Sequence, residues 1–163
     1  MAGLDVNLIN PFITSLVNVF STMVQMEIER KSLALKNNDM VFGDISALIG
    51  LAGSGSGTVI ISFPRAFADK IVSNMLGCEQ NTLNKDDIRD GIGEIVNMVA
   101  GAAKSSFSET KYKFNISLPT VVEGKPGETE IIHKKGVPCI VVGFETPEGE
   151  KFVLEVSLKS NVE

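Results

Sequence analysis

The sequence predicts an α+β fold in which long helices pack on an antiparallel sheet. Helical periodicity lies mainly in the first two-thirds of the 163-residue chain, whereas β-prone runs separated by turn residues dominate the last third. Strands and helices do not alternate as they would in a parallel βαβ fold. Hydrophobic residues make up 44% and charged residues 21% of the chain, an ordinary composition for one compact domain. We therefore expect a single domain over residues 1–163.

Each predicted element has a local signal in the sequence. Apolar residues recur at i, i+3 and i+4 in the helices, whereas the strands are apolar runs bounded by turn residues. Pro11 suits the first turn of a helix, Gly77 suits a helix end, and Asn84 is a good N-cap. The predicted elements are, in chain order, a helix over 11–27, strands over 40–53 and 56–63, helices over 64–77 and 84–109, and strands over 112–124, 128–133, 136–146 and 150–159.

The glycine-rich segment GSGSG at residues 53–57 has to be compared with phosphate-binding loops. A P-loop requires a lysine followed by serine or threonine after its last glycine, and none follows here. A dinucleotide fingerprint requires a helix directly after the glycines, but the next residues, TVIISF, are typical of a strand. We therefore expect a hairpin turn.

Charge and hydropathy exclude two classes of partner. The formal net charge of −5 makes the chain a poor ligand for phosphate backbones, so nucleic acid is not an expected partner. The apolar run at residues 8–24 is interrupted by Asn10, Pro11 and Asn18, and no basic residue precedes it. We expect neither membrane insertion nor a signal peptide.

The cysteines and the histidine do not form a recognisable site in the sequence. Cys78 and Cys139 stand apart, and buried free thiols in a reducing cytoplasm are the favoured interpretation. His133 is the single histidine, and a metal site there would have to recruit distant carboxylates. We expect no metal or cofactor of the chain's own.

The predicted third helix contains an unusual segment, DGIGEIVNMVAG at residues 90–101. On a helix, positions i, i+4, i+7 and i+11 share one face. Asp90, Glu94, Asn97 and Gly101 therefore form one stripe, which we call the polar stripe. The opposite side carries the apolar residues expected to face the core, which are Ile88, Ile92, Ile95 and Val99.

Small residues flank the polar stripe. Gly93, Ala100 and Gly101 lie near Glu94 and Asn97 in the sequence, although each glycine costs a helix interior about 1 kcal/mol relative to alanine. An acid–amide pair alone is typical of a solvated helix face, but such a face gains nothing from glycines. Small residues let another backbone approach closely. We therefore expect a partner to contact the stripe and its flanks, at Asp90, Gly93, Glu94, Ala100 and Gly101.

The first predicted helix repeats part of this segment. SLVNVF at residues 15–20 parallels EIVNMV at residues 94–99, which favours a degenerate internal duplication. Asn18 stands where Asn97 would, but Ser15 stands where the glutamate would. We therefore assign no catalytic role to Asn18.

Four segments, in order along the chain, make it resemble the CheC/CheX family of bacterial chemotaxis phosphatases, and CheX-like members most closely. The segments are INPFITSLVNVF at 9–20, GDISALIGLAGSGSGTVIISF at 43–63, GEIVNMVAGAAK at 93–104 and ISLPTVVEG at 116–124. The family motif is an acidic or hydroxyl residue, three others, Glu, two others and Asn, which Asp90, Glu94 and Asn97 satisfy. The resemblance implies a CheC-like α+β fold, a single motif and a homodimer. The apolar run 136–146 could serve that dimer as an edge strand or lie inside the sheet.

The resemblance also implies a reaction. The substrate would be a CheY-like receiver protein that carries an aspartyl phosphate beside its own Mg²⁺. Asn97 would orient the attacking water, because a carboxamide offers both donors and an acceptor. Glu94 would pair with the receiver's active-site lysine. A general-base role for Glu94 is less favoured because an acyl phosphate needs little help from a base. Asp90 would contribute negative potential or docking.

A second class of function stays open on the sequence. The same helical face could belong to a non-catalytic adaptor that binds a receiver, a motor-switch protein or a CheD-like partner. Glu94 and Asn97 would then be contact residues only, and the lifetime of the receiver phosphate would not change.

Overall fold

The computed structural model describes residues 5–161, which form three helices and one antiparallel sheet of seven strands. The helices are α1 (Val6–Val19, continued by a π-helical turn at Phe20–Val24), α2 (Arg65–Leu76) and α3 (Lys85–Phe107). The strands are β1 (Glu29–Leu35), β2 (Ile45–Gly53), β3 (Gly55–Phe63), β4 (Phe114–Ile116), β5 (Thr120–Glu123), β6 (Cys139–Glu145) and β7 (Lys151–Ser160). The predicted α+β class is confirmed.

The strand order places β6 inside the sheet. The order is β1-β6-β7-β3-β2-β4, and β5 pairs with a different part of β2 from β4. Because β6 pairs with β1 on one side and β7 on the other, it is not an edge strand. Among residues 5–161, the outermost strands of the sheet are β1 at one end and β4 and β5 at the other.

In the first third of the chain, the predicted position of Pro11 is wrong and one strand was not predicted. Helix α1 begins at Val6, where the side chain of Asp5 accepts a hydrogen bond from the Asn7 amide, so Pro11 lies inside the helix rather than in its first turn. The strand β1 was not predicted at all, because all seven of its residues are exposed and an edge strand without a buried face shows no alternation.

Several predicted strands extend beyond the observed ones, whereas β3 and β7 agree with the prediction to within one residue at each end. Residues 40–44 lie outside β2, and residues 128–133 contain only an isolated bridge between Met40 and Glu130. The predicted strand over 112–124 is divided into β4 and β5 around Pro119, which cannot donate to a ladder. The predicted hairpin is confirmed, although its turn narrows to Ser54 between β2 and β3.

The core lies between the three helices and one face of the sheet. Phe152 of β7 is near its centre, with the ring centroids of Phe20 and Phe63 at 4.9 and 5.0 Å. Offset ring pairs of this kind add about 0.5–1.5 kcal/mol each beyond the burial of their area. These rings connect the end of α1 to the central strands.

By length and composition alone, the helical segment Val6–Val24 would also suit a membrane span. Core helices of globular proteins pass the same test. Here the apolar side chains of Leu8, Ile9, Phe12 and Leu16 are buried in the core, which gives the hydropathy of this helix a structural explanation.

Glu123, at the end of β5, connects three elements by ion pairs. Arg89 of α3 donates from Nη2 to Glu123 Oε2 over 2.8 Å, and Arg65 Nη2 of α2 lies 2.9 Å from Glu123 Oε1. The hydrogen bond from Arg89, with a smaller contribution from Arg65, lowers the pKa of Glu123 to about 2 although burial opposes the shift. These pairs hold β5 against the outer flank of α3.

Helices α2 and α3 approach each other at Gly91. A Cβ built on Gly91 would lie 2.5 and 2.6 Å from the two Cγ atoms of Val72, whereas a Cβ on Gly101 would meet no described atom within 4 Å. Gly91 is therefore required by helix packing, and Gly101 is not.

We predict opposite effects for alanine at these two glycines. Gly91→Ala should lower the free energy of unfolding by about 1–3 kcal/mol, because Val72 must move. Gly101→Ala should raise it by up to about 1 kcal/mol, because alanine is the better helix former. Urea unfolding of the parent and both variants measures the two changes, and a stabilised Gly91→Ala variant would contradict the packing argument.

We predict a pH-dependent contribution from Glu123. Because its folded pKa of about 2 lies below its ordinary value of 4.5, the carboxylate stabilises the fold fully above about pH 5.5. That contribution is lost as the pH falls from about 4.5 towards 2. Glu123→Gln should therefore lower the free energy of unfolding by about 1–3 kcal/mol at neutral pH and by progressively less below pH 4.5.

Urea unfolding at a series of pH values checks this expectation. Glu109→Gln, at an exposed position after α3, is the matched control and should show no such convergence with the parent. A Glu123→Gln deficit that stays constant from pH 7 to pH 3 would refute the assignment.

Candidate functional site

The polar stripe lies on the outward face of α3. Asp90 and Glu94 are exposed, and Asn97 and Gly101 are half-buried. The opposite side packs into the core through the residues expected there, which are Ile88, Ile92, Ile95 and Val99. The predicted orientation of the helix is confirmed.

Helix α3 is a well-anchored platform for these side chains. Asn84 Oδ1 accepts a hydrogen bond from the Asp87 amide at 2.8 Å, and Asp87 Oδ2 accepts one from the Asn84 amide at 3.3 Å. This capping box satisfies two backbone groups at the helix start, and the negative charges of Asp86 and Asp87 complement the helix dipole. The backbone under Glu94 and Asn97, near the middle of the 23-residue helix, is therefore held firmly.

The functional groups of the stripe have no partner inside the described chain. Within residues 5–161, the side chains of Asp90, Glu94 and Asn97 make no hydrogen bond or ion pair. Arg89, the cation next to Asp90 in the sequence, is engaged by Asp86 and Glu123 instead. Two carboxylates and one amide are thus left with unused acceptors and donors on the surface.

The expectation that Gly93 and Ala100 lie on the outer surface is wrong. Ala100 is 1% exposed and belongs to the core. Gly93 is buried, and a Cβ there would lie 3.5 Å from Val121 Cγ2 and 3.9 Å from Pro119 Cγ. At about 100° per residue, both positions turn roughly 70–90° away from the centre of the stripe, onto a flank that other elements cover. Gly101 differs, because the space beyond it is open.

The loop between β4 and β5 borders that covered flank. The Ser117 amide donates to Gly50 O at 2.9 Å, and the Gly50 amide donates to Ser117 Oγ at 2.8 Å, so the loop is tied to β2. Leu118 follows and is 88% exposed, next to the Pro119 ring that lies over Gly93. Leu118 did not stand out in the sequence because the whole segment 112–124 has the pattern of a single strand. Pro119 was the available signal for a break.

Helix α1 does not reproduce the acid–amide pair. Asn18 is exposed, but Ser15, which aligns with Glu94, is 4% exposed. A glutamate at Ser15 would therefore be buried in the core instead of standing beside the amide. The structure agrees with a single complete pair, on α3.

On the face of the sheet opposite to the helices, His133, Cys139 and Glu155 lie close together, which the sequence did not predict. His133 Nε2 lies 3.2 Å from Glu155 Oε2 and 3.5 Å from Cys139 Sγ. Burial raises the pKa of the Cys139 thiol to about 12. The sequence indicated that a metal site at His133 would have to recruit distant carboxylates, and Glu155 is one, 22 residues away along the chain. The pairing of β6 with β7 brings it to the same place as Cys139.

The two cysteines differ in burial. Cys139 is buried, as expected, whereas Cys78 is exposed. Cys78 directly follows Gly77, the left-handed cap at the end of α2, where the chain leaves the core. The prediction of two buried thiols is therefore wrong for Cys78.

The side chains of the polar stripe can bind another molecule and orient a water beside it. An amide can hold a water through its oxygen while its NH₂ group donates to a second acceptor, and an unpaired carboxylate can bind a cation. Among the described residues, neither Glu94 nor Asn97 is hydrogen-bonded to a hydroxyl or thiol as a base is to its nucleophile. The arrangement suits a surface that acts on another molecule's reactive group.

Comparison with known proteins identifies the family. The family model described as chemotaxis phosphatase CheX matches residues 45–145, more than half of the chain and including all of α3. The CheY-P phosphatase CheX of Thermotoga maritima is 28% identical over 123 residues, which are 75% of this chain and 79% of that protein.

Solved structures show the same architecture. The chemotaxis protein CheX from Vibrio vulnificus matches with a TM-score of 0.83 and 35% identity, covering 94% of this chain and 99% of that chain. A chain of the CheX–CheY–BeF3–Mg²⁺ complex from Borrelia burgdorferi has the same fold, with a TM-score of 0.78 and 23% identity over 96% of this chain and 100% of that chain. On the family match and these relatives, the chain belongs to the CheX family of chemotaxis phosphatases.

Proposed function

We propose that this chain is a phosphatase that hydrolyses the aspartyl phosphate of a CheY-like receiver, with Asn97 orienting the attacking water. The observation that carries the proposal is the unpaired Glu94–Asn97 pair on the outward face of α3. Membership of the CheX family supports it, as does the relative in Thermotoga maritima, a CheY-P phosphatase.

The amide meets the main requirement of the reaction. An acyl phosphate is already activated, and the barrier falls when a water is held in line with the bond that breaks. The Asn97 amide oxygen would accept a hydrogen bond from that water while its NH₂ group donates towards the phosphoryl oxygens. Because no group in residues 5–161 occupies the amide, both functions are available when a receiver docks.

Glu94 would dock the helix one turn before the amide. We propose that its carboxylate pairs with a lysine in the receiver's active site, since an ion pair strengthens when the interface excludes water. Asp90 would add negative potential on the same stripe. The Mg²⁺ belongs to the receiver in this scheme. The Borrelia burgdorferi structure, in which CheX occurs with CheY, BeF3 and Mg²⁺, supports a metal-loaded receiver as the partner.

Gly101 and Leu118 would shape the contact. The open space at Gly101 lets a receiver backbone approach the end of the stripe. Leu118 offers an exposed apolar side chain on a loop tied to β2, and burying it would add about 1.5–3 kcal/mol. Gly93 and Ala100 would contribute indirectly. Because they are small, the β4–β5 loop and the core can pack closely against α3.

We also propose that the chain forms a homodimer and that it lies in the cytoplasm. Since β6 is interior, a second copy would have to pair at one of the two sheet ends, and β1 is our choice because its Leu33 and Leu35 are 45% and 66% exposed. Light scattering measures the mass of the assembly in solution. Both cysteines are free thiols, which suits a reducing compartment.

We predict that Asn97→Ala separates chemistry from binding. The variant should bind the phosphorylated receiver within about threefold of the parent, because the carboxylates still dock. Its rate at saturating receiver should fall at least about 100-fold, because the water is no longer held. Loss of phosphate from the receiver, followed with catalytic amounts of each protein, measures the rate. An Asn97→Ala variant as fast as the parent would refute the mechanism.

Three further variants complete that experiment. Glu94→Ala should weaken binding and rate together, whereas Leu118→Ser should weaken binding and leave the rate at saturation unchanged. Asn18→Ala, at the exposed asparagine of α1, is the matched control and should behave as the parent. A parent chain that binds the receiver without shortening the life of its phosphate would identify the adaptor instead.

A further inference from the structure

We propose that His133, Cys139 and Glu155 form a zinc site on the face of the sheet opposite to α3. Cys139 and Glu155 alternate along β6 and β7 with Ile140 and Val156, which belong to the helix-facing core. Their side chains therefore point to the other face, where His133 reaches them from the segment before β6. This site is separate from the polar stripe, so it stands or falls independently of the proposed phosphatase activity.

The three ligand atoms have the spacing of a tetrahedral metal site. Zinc bonds of about 2.0–2.1 Å to nitrogen, 2.0–2.2 Å to oxygen and 2.3 Å to sulfur place neighbouring ligand atoms roughly 3.3–3.6 Å apart. The observed separations are 3.2 Å from His133 Nε2 to Glu155 Oε2 and 3.5 Å from His133 Nε2 to Cys139 Sγ. All three atoms lie within 4.8 Å of one another, so an ion can be placed with small side-chain movements.

Lys36 holds the Glu155 carboxylate through the oxygen that does not face His133. Its ammonium group pairs with Glu155 Oε1 and donates to Met40 O at 2.8 Å, while Oε2 faces His133. A ligating carboxylate is normally held by such an outer partner, which fixes its orientation. The backbone amide of Lys36 also donates to Cys139 O at 2.8 Å, so the supporting residue and the thiol are positioned together.

Burial and access are both suitable for a bound ion. The side chains of His133, Glu155 and Lys36 are 5–8% exposed, and Cys139 is buried. A cleft of about 380 Å³ lined by Asn37, Asp39 and Lys135, among others, reaches both His133 and Cys139. The cleft would give the ion an entry path and leaves room for a water at the fourth position, the pattern of a zinc site with three protein ligands.

The ligand set favours zinc over the hard cations. A thiolate with an imidazole and one carboxylate suits Zn²⁺ or Co²⁺, whereas Mg²⁺ and Ca²⁺ require mostly oxygen ligands. Binding deprotonates the Cys139 thiol, so the Zn–S bond forms and one proton passes to solvent for each ion bound. Neutral His133 uses Nε2 as its ligand atom.

Metal titration of the reduced, chelator-treated full chain tests the proposal. Calorimetry should show one Zn²⁺ per chain with a Kd tighter than about 1 µM at pH 7.5. Co²⁺ should give a thiolate charge-transfer absorption band together with the d–d pattern of a tetrahedral site. Cys139→Ser and His133→Gln should each weaken binding at least about 100-fold.

Cys78→Ser is the matched control, because Cys78 is an exposed thiol far along the chain from the cluster. It should bind zinc within about twofold of the parent. Circular dichroism shows whether each variant is folded, and the Co²⁺ spectrum of the parent reports sulfur ligation if Cys139→Ser does not fold. The proposal is overturned if the parent binds no Zn²⁺ below about 100 µM, if bound Co²⁺ gives no thiolate band, or if Cys139→Ser binds as the parent does.

Discussion

The burial of Ile88, Ile92, Ile95 and Val99 in the core is the contact on which the candidate site depends. It sets the rotation of α3 about its own axis. A turn of one residue, about 100°, would take Glu94 from solvent towards the sheet, and an unpaired carboxylate there would cost several kcal/mol. The apolar face therefore selects the single rotation in which the amide and the acids stand outward.

Packing around the helix then limits what can lie beside the stripe. Val72 requires a residue without a side chain at Gly91, and the Pro119 and Val121 side chains close over Gly93. The ion pairs of Glu123 hold the same strand against the helix. Other elements thus cover both flanks of the stripe, α2 at Gly91 and the β4–β5 segment at Gly93, while the end at Gly101 is left open.

The features predicted correctly from the sequence are those that depend on a single helix or strand. The caps at Gly77 and Asn84 and the outward stripe of α3 follow from local spacing, and they were found. The errors lie where a second element decides the outcome. Burial at Gly93 and Ala100 comes from neighbours distant in sequence, the edge strand β1 has no buried face to show a pattern, and the cluster at His133 exists only because β6 pairs with β7.

The buried Ser15 on α1 limits how many binding faces the proposed function would give each chain. A fold built from two related halves could present two equivalent faces to its partner, but here one of the two helices has turned its corresponding position into the core. Restoring a glutamate by itself would not create a second face, since the whole helix would have to rotate. Under the proposed function, each chain would therefore offer one receiver-binding face, and turnover would scale with the number of chains.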